Sequence, residues 1–462
     1  MSAVTPRSSA PAQVKDRTPA PPANRPPAPA GRRLAWLDAL RGIAALCVVY
    51  AHFGTRVLPQ VHNAVYAVFD PGLYGVFVFF LVSGYVVPSS LERKGSIRTF
   101  WLGRLFRLFP LLVFAIATVL LLHELGLASV RGTNTDVTAS VFGHLFMLED
   151  LLGPSSVIVV LWTLSYEMVF YLLLTALFTA GLHRRSGTLA TAFATGALLL
   201  GGLLPTVWLS YSRLGLTGVA VAADALVIGG LAIAVTAQGR VRALGAWLAA
   251  VTGLILVAFN GRRFAYEGLT ILALMFTGTM LYRAQHRQVS RGQAAIMAAG
   301  ILLAVIVAGA WHIPSVAPAS QAALLQREWV VTVVLAALTF AAGLALRHQS
   351  VPSVLTWLGL VSYSLYLLHP LLLDGYDRIR FAPSQIPAGV QVAMTAAFLA
   401  VLLACCTTTY LLVEAPMQRL GRRVAVRLDA RFGPDREPGQ APGRDPVPEL
   451  PVSRYTSAPS AR

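Results

Sequence analysis

Apolar segments long enough to span a membrane recur along most of this chain, separated by short polar segments. A helix needs about 20 mostly apolar residues to cross the hydrocarbon core of a bilayer, and by that criterion we count about twelve candidate spans. The segments lack the strict alternation of apolar and polar positions that marks a β-barrel. The pattern predicts an all-α, polytopic helical membrane protein with about 10–12 transmembrane helices. The candidate spans begin near Leu34, Pro71, Arg104, Val157, Gly187, Leu214, Val241, Phe264, Gln293, Glu328, Ser353 and Val390.

The composition agrees with a membrane protein. Of the 462 residues, 56% are hydrophobic and 12% are charged, and this charged fraction is about half that of a soluble domain. The three cysteines, Cys47, Cys405 and Cys406, lie within apolar segments, so no disulfide framework is expected. The formal net charge of +17 comes mostly from arginines that flank apolar segments. That placement is typical of the positive-inside rule and does not indicate a nucleic-acid-binding domain.

Both ends of the chain lack the apolar residues needed for a core. Residues 1–33 are rich in Pro and Ala, and residues 425–462 contain the stretch RFGPDREPGQAPGRDPVPEL. We expect both to be disordered cytoplasmic tails on either side of a membrane domain at residues 34–424. Residues 1–33 lack the apolar segment of a signal peptide, so the first span should remain as an anchor.

The distribution of arginines predicts the orientation in the membrane. An even number of spans puts both termini on one side, and most basic loops then share that side, which should be the cytoplasm. The opposite loops carry several acids, among them Glu124, Asp136, Glu149 and Asp150. The basic residues on the predicted cytoplasmic side are Arg32, Arg33, Arg93, Lys94, Arg98, Arg184, Arg185, Arg240, Arg242, Arg283, Arg287, Arg291 and Arg422.

The first span, LDALRGIAALCVVYAH, carries three residues that are costly in lipid: Asp38, Arg41 and His52. Asp38 and Arg41 are three residues apart, so they share a helix face and can pair. Arg41 and His52 lie on one stripe, about 16 Å apart along the axis. Intramembrane charges usually face a bundle interior or a watery cavity and mark function. We therefore expect both residues on one face of a shared cavity. The alternative is that Asp38 and Arg41 snorkel to the interface and His52 simply ends the helix.

The next two spans carry small and basic residues. The second contains Ser83 and Gly84 within VFVFFLVSGYVV, which taken alone indicates close helix packing. Arg104 and Arg107 in FWLGRLFRLFP share a helix face at the predicted cytoplasmic boundary. This pair suits a polyanion such as a phosphate cluster, or it is a positive-inside flank.

Two further spans carry candidate site residues. Glu167 lies within LWTLSYEMVFYLLL, and a buried carboxylate there needs a partner or a site to serve. Ser362, Tyr363, Tyr366 and His369 lie near one side of the helix VSYSLYLLHPLLL. They line a cavity, or they form an aromatic belt with a capping histidine.

Six motifs in this order resemble the acyltransferase 3 family of integral membrane acyltransferases over about residues 34 to 424. The matching stretches are LDALRGIAALCVVYAH, FFLVSGY, FWLGRLFRLFP, LWTLSYEMVFY, SYSLYLLHP and VEAPMQRLGRR. In that family the arginine and histidine of the first helix, separated by ten residues, are essential for function. Members generally have about ten core helices, about two fewer than the spans counted here. The family's functional positions map onto Arg41, His52, Ser83, Gly84, Arg104, Arg107 and Glu167.

The resemblance implies transfer of an acyl group, commonly acetyl, from acyl-CoA to a hydroxyl of a glycan, glycolipid or glycosylated metabolite. Arg104 and Arg107 would bind the donor at the cytoplasmic side, and Arg41, oriented by Asp38, would bind the donor or brace the cavity. Neutral His52 would take the proton of the acceptor hydroxyl, and a transient acyl-histidine is a less favoured route. Glu167 would orient His52 or bind the acceptor. Ser83, Gly84, Tyr366 and His369 are further candidates for substrate binding.

We expect a multi-pass protein of a bacterial inner membrane, with acyl-CoA as a substrate and no other cofactor or metal. The rival interpretation is a proton-coupled secondary transporter, which would also use buried Asp, Arg, His and Glu. The ordered motifs and the lack of a clear repeat between the two halves of the sequence weigh against it. A third possibility is a catalytically silent binding protein of the same fold, against which the presence of Arg41 and His52 argues mildly.

Overall fold

The computed structural model describes residues 34–127, 137–377 and 386–433, and its regular structure over those residues is helical. We number the helices in chain order. The helices are α1 Ala35–Val57, α2 Pro59–Tyr66, α3 Pro71–Lys94, α4 Ile97–Glu124, α5 Val137–Leu145, α6 Glu149–Leu152, α7 Trp162–Thr179, α8 Ser186–Leu200, α9 Gly215–Thr236, α10 Gly239–Phe259, α11 Ala265–Gln285, α12 Arg291–Val316, α13 Ala319–Ala345, α14 Ser353–Leu360, α15 Ser362–Asp377, α16 Ala388–Thr409 and α17 Ala415–Phe432.

Among the described residues, nine helices are long and apolar enough to cross a membrane. A tenth span results if α14 and α15, which bend by 68° at their junction, cross together. The prediction of an all-α, polytopic membrane protein is confirmed. Two of the predicted spans are not among these helices. Helix α8 is too short, with 15 residues, and α11 does not reach the apolar content of a membrane span. Most residues of α11 are buried against α3 and α8, so this helix presents little of its surface to lipid.

Helix α4 begins earlier than its apolar residues suggest. The side chain of Ser96 accepts a hydrogen bond from Thr99 N at 3.1 Å, and the chain turns helical from Ile97 onward. This is the usual N-cap geometry, in which a hydroxyl satisfies an amide that has no partner inside the helix. Arg104 and Arg107 therefore lie in the second and third turns of α4. The helix thus starts before the apolar span predicted near Arg104, and the place where α4 enters the membrane stays a prediction.

Close backbone contacts hold the central helices together. A Cβ atom on Gly84 of α3 would lie 1.8 Å from the carbonyl oxygen of Met275 in α11, and one on Gly278 would lie 2.2 Å from Leu81 O. A Cβ on Gly359, in the last turn of α14, would lie 2.1 Å from Asp38 O in α1. Such approaches require glycine, and they are how membrane helices gain packing contacts.

The last helical segment is longer than predicted. Helix α16 passes through a π-helical turn at Tyr410–Glu414 and continues as α17 to Phe432. The expected start of a disordered tail at residue 425 was therefore wrong, because residues 425–432 are helical. In the π turn, the buried carboxylate of Glu414 accepts a hydrogen bond from Ser364 of α15. The predicted tails at residues 1–33 and 434–462 lie outside the described residues.

Candidate active site

A cavity of about 680 Å³, including its open mouth, lies between α1, α3, α4, α7 and α15. We call it the arginine cavity. One part of its wall is apolar, and the other part carries guanidinium, carboxyl and hydroxyl groups. Its lining residues are Arg41, Val76, Phe79, Phe80, Ser83, Arg104, Arg107, Leu108, Thr163, Leu164, Glu167, Ser362, Tyr363 and Tyr366.

Three guanidinium groups dominate the charge of this cavity. Arg41 comes from α1, and Arg104 and Arg107 come from successive turns of α4. The guanidinium of Arg104 lies over the rings of Phe100 and Tyr171, 5.3 and 5.1 Å from their centroids. These cation–π contacts fix its direction. The sequence-predicted arginines of two different helices thus meet at one positively charged site.

Glu167 is the carboxylate of the arginine cavity. Its Oε1 accepts a hydrogen bond from Ser83 Oγ at 3.4 Å and another from the hydroxyl of Tyr171. Tyr171 thus contacts both Glu167 and Arg104, which links the carboxylate to the basic residues. These bonds lie within the arginine cavity, so the suggestion that Glu167 orients His52 does not fit the structure.

Two other sequence candidates lie beside the cavity, outside its described lining. Asp38 is buried and is, with Glu167, one of the acidic neighbours of Arg41. This arrangement fits the predicted role of Asp38 in orienting the guanidinium. Gly84 packs against the backbone of Met275. This contact supports the packing interpretation of Gly84, and its role as a substrate-binding residue stays a prediction.

His52 lines a second cavity, of about 540 Å³ including its open mouth, together with Arg56 and Asp374. We call it the histidine cavity. His52 Nδ1 lies 3.0 Å from Val48 O on the same helix and 3.2 Å from Nε2 of His369. The other lining residues are Val119, Val157, Ile158, Val159, Pro370, Leu371 and Leu373.

The two cavities follow one another along the helices. Helix α1 gives Arg41 to the arginine cavity and, three turns later, His52 to the histidine cavity. Helix α15 gives Tyr366 to the arginine cavity and Pro370 to the histidine cavity. Helix α4 likewise lines both cavities. Arg41 and His52 share a stripe of α1 as predicted, but the prediction of one shared cavity was wrong. The sequence could not reveal this, because other parts of the chain form the partition.

Tyr366 and the segment before α7 form that partition. The hydroxyl of Tyr366 donates a hydrogen bond to Val160 O at 2.9 Å and lies 2.8 Å from Thr163 Oγ1. On its other side, the Tyr366 ring lies 6.3 Å from the ring of His369, centroid to centroid. His369 is fully buried. It is therefore a residue of the partition, although the sequence suggested that it lines a cavity.

Several site residues escaped the sequence analysis. Arg56 lies one helical turn after His52, and its Nη1 donates to the His52 carbonyl oxygen at 2.6 Å. The one-turn spacing from His52 could have marked Arg56 as a site residue in the sequence. Asp374 and Thr163 reach the cavities only through the fold, and no local pattern marks them. The part of the chain that the structure describes contains no group of three or more His, Cys, Asp or Glu placed to hold a metal ion.

Comparison with known proteins identifies the family. The model of a family described as "Acyltransferase domain", acyltransferase 3, matches residues 34–413. The chain is 32% identical to Acyltransferase MdmB of Streptomyces mycarofaciens over 149 residues, which is 30% of this chain and 38% of that protein. It is 32% identical to Nodulation protein 10 of Rhizobium leguminosarum bv. viciae over 180 residues, or 34% of this chain and 48% of the relative. It is 29% identical to O-acetyltransferase OatA of Staphylococcus aureus (strain NCTC 8325 / PS 47) over 169 residues, or 33% and 26% of the two chains.

No solved structure matches this chain. The chain spans less than half the length of each of these three relatives. The family model, in contrast, covers most of the 462 residues and includes both cavities and the partition between them. On that match, the chain belongs to the acyltransferase 3 family.

Proposed function

We propose that this protein is a membrane O-acyltransferase that moves an acyl group, acetyl in the simplest case, from acyl-CoA to a hydroxyl of a separate acceptor. The observation that carries the proposal is the pair of stacked cavities, one rich in arginine and one containing a histidine. A polyanionic donor fits the first cavity, and an acceptor that must lose a proton fits the second. The family membership and a relative named O-acetyltransferase support the reaction class.

The donor site follows from charge. Coenzyme A carries phosphates, and guanidinium groups bind phosphate through paired, charge-assisted hydrogen bonds. Arg41, Arg104 and Arg107 together face a single carboxylate, Glu167, in the described lining, which leaves an excess of positive charge for the donor. The apolar part of the wall suits the uncharged pantetheine arm. The thioester carbon then points toward the partition and the histidine beyond it.

The acceptor site follows from the chemistry of His52. A carbonyl oxygen can only accept a hydrogen bond, so the close contact with Val48 O puts the hydrogen of neutral His52 on Nδ1. The lone pair is then on Nε2. In the proposed step, Nε2 takes the proton of the acceptor hydroxyl while its oxygen attacks the thioester carbon, and CoA leaves as the thiolate, which is protonated afterwards. A new ester bond replaces the thioester bond.

The acceptor class and the location rest on the family. We infer a hydroxyl of a glycan, a glycolipid or a glycosylated metabolite, and a bacterial cell membrane with both chain termini in the cytoplasm. Acyl-CoA would then enter the arginine cavity from the cytoplasm, and the acceptor would reach His52 from the opposite end of α1. The Tyr366 hydroxyl must release Val160 or Thr163 for the acyl group to meet the acceptor.

The test is acyl transfer by purified protein in lipid nanodiscs. Radiolabelled acetyl-CoA is mixed with candidate hydroxyl acceptors, and the labelled ester and free CoA are measured without any ion gradient. We expect turnover in the wild type and a loss of about 10²–10⁴-fold in His52→Ala, the usual effect of removing a general base. His348→Ala, at an exposed histidine outside both cavities, is the matched control.

Two results would overturn the proposal. One is wild-type protein that neither transfers nor hydrolyses the acetyl group of acetyl-CoA, yet carries solutes when a proton gradient is applied, as the transporter interpretation requires. The other is a folded His52→Ala protein with near-normal transfer, which would remove the proposed base while leaving the family assignment intact.

A further inference from the structure

A second histidine supports the ring of His52 from within the partition. Nε2 of His369 lies 3.2 Å from Nδ1 of His52, although the two residues are 317 positions apart. The ring centroids are 5.1 Å apart and the ring planes meet at 47°. His369 has no exposed surface, so solvent does not compete for this contact.

Two helix carbonyls determine where the hydrogens lie. His369 Nδ1 is 3.0 Å from Leu365 O, and His52 Nδ1 is 3.0 Å from Val48 O. Since a carbonyl oxygen only accepts, each neutral ring carries its hydrogen on Nδ1 and its lone pair on Nε2. The lone pair of His369 therefore faces the Nδ1–H of His52. That hydrogen is shared between Val48 O and His369, a three-centre arrangement.

We propose that His369 is a positioning residue for the acyl-transfer reaction, and that it acts by accepting a hydrogen bond from His52 Nδ1. The inference rests on the proposed role of His52 as the base. When Nε2 of His52 takes the hydroxyl proton, the ring becomes positively charged and its Nδ1–H becomes a stronger donor. The bond to His369 thus strengthens as the proton is transferred, which lowers the barrier more than it stabilises the resting enzyme. His369 neither gains nor loses a proton in this step.

The choice of a neutral partner fits the location. Catalytic histidines in soluble enzymes often use a carboxylate as the orienting acceptor. A carboxylate at the fully buried position of His369 would carry a large desolvation cost. A neutral imidazole, held by Leu365 O, supplies an acceptor in the same geometry without a buried charge.

The experiment compares His369→Leu with His369→Gln in nanodiscs, with the kcat of transfer and the KM and affinity for acetyl-CoA measured on the same samples. The Gln amide oxygen can reach the position of imidazole Nε2 and accept the bond, whereas Leu cannot. We expect kcat to fall about 10- to 100-fold in the Leu variant, the rate equivalent of one hydrogen bond to a charged group. The Gln variant should recover most of kcat, and the donor affinity should stay within about twofold in both.

The outcomes separate this inference from the proposed function. If the wild type is active and His52→Ala is not, but His369→Leu has a normal kcat, only the positioning role is overturned. Equal losses in the Leu and Gln variants, or a loss of donor affinity, would also overturn it by indicating a structural role. If the Leu variant does not fold, His369→Asn replaces it, since the Asn amide reaches only the position of Nδ1. An Asn variant as active as Gln would then refute the inference.

An inactive wild type refutes the proposed function itself.

Discussion

Replacing Arg107 with Gln tests whether the arginine cavity binds the phosphates of the donor. Arg107 is the better choice on α4, because Arg104 also packs over two aromatic rings and its loss would disturb them. Three guanidinium groups line the cavity, and Arg107→Gln removes one of them together with its positive charge. A hydrogen bond to a charged group contributes about 1.5–3 kcal/mol, so the affinity for CoA should fall about 10- to 100-fold.

The assay is isothermal titration calorimetry of CoA against protein in nanodiscs, repeated with phosphate-free pantetheine. Because the arginine acts on phosphate, the variant should lose affinity for CoA and keep its affinity for pantetheine. The affinity of the wild type for CoA should also fall more steeply with added salt than that of the variant. Arg240→Gln, at an exposed arginine of α10, removes the same charge elsewhere and should leave CoA binding unchanged. A CoA affinity within twofold of the wild type, or an equal loss for pantetheine, would refute the assignment.

Two further predictions concern packing and orientation. Gly84→Ala should lower the melting temperature sharply, because its Cβ would lie 1.8 Å from Met275 O, and such overpacking costs about 1–3 kcal/mol or more. The neighbouring Ser83→Ala removes a single hydrogen bond to Glu167 and should shift the melting temperature far less; thermal unfolding monitored by tryptophan fluorescence checks both, and similar melting temperatures would contradict the packing argument. Single cysteines at Asn63 and Ser350, both exposed, should fall on opposite sides of the membrane in a background whose native cysteines are replaced. An impermeant thiol reagent should label Asn63→Cys in intact cells and Ser350→Cys only after permeabilisation, and the reverse pattern would invert the proposed orientation.

The spans were predictable because apolar length is a local property of the sequence. The exceptions have physical causes. Helix α11 is buried against other helices and needs fewer apolar residues, and α4 begins at a serine cap that hydropathy does not register. The convergence of Arg41, Arg104, Arg107 and Glu167 was also accessible, since charges in apolar segments must meet in a polar interior.

The separation of the site into two cavities was not accessible from the sequence. It depends on the hydroxyl of Tyr366 meeting Val160, a contact between positions 206 residues apart. The pairing of His52 with His369 depends in the same way on how α15 packs against α1. Helical spacing shows which residues share a face of one helix, but it does not show which face of another helix they meet.

The partition has a consequence for the energetics of the cell. If the arginine cavity and the histidine cavity were continuous, a chain of water molecules could run through the protein. Protons would then flow along it and dissipate the membrane potential. In this structure the Tyr366 hydroxyl is bonded to Val160 O across the gap, and the buried ring of His369 lies behind it. Under the proposed function, the group that passes the partition is an uncharged acyl group, and the phosphates of its carrier stay with the arginines. Acyl transfer would then not require an electrically conducting path across the bilayer.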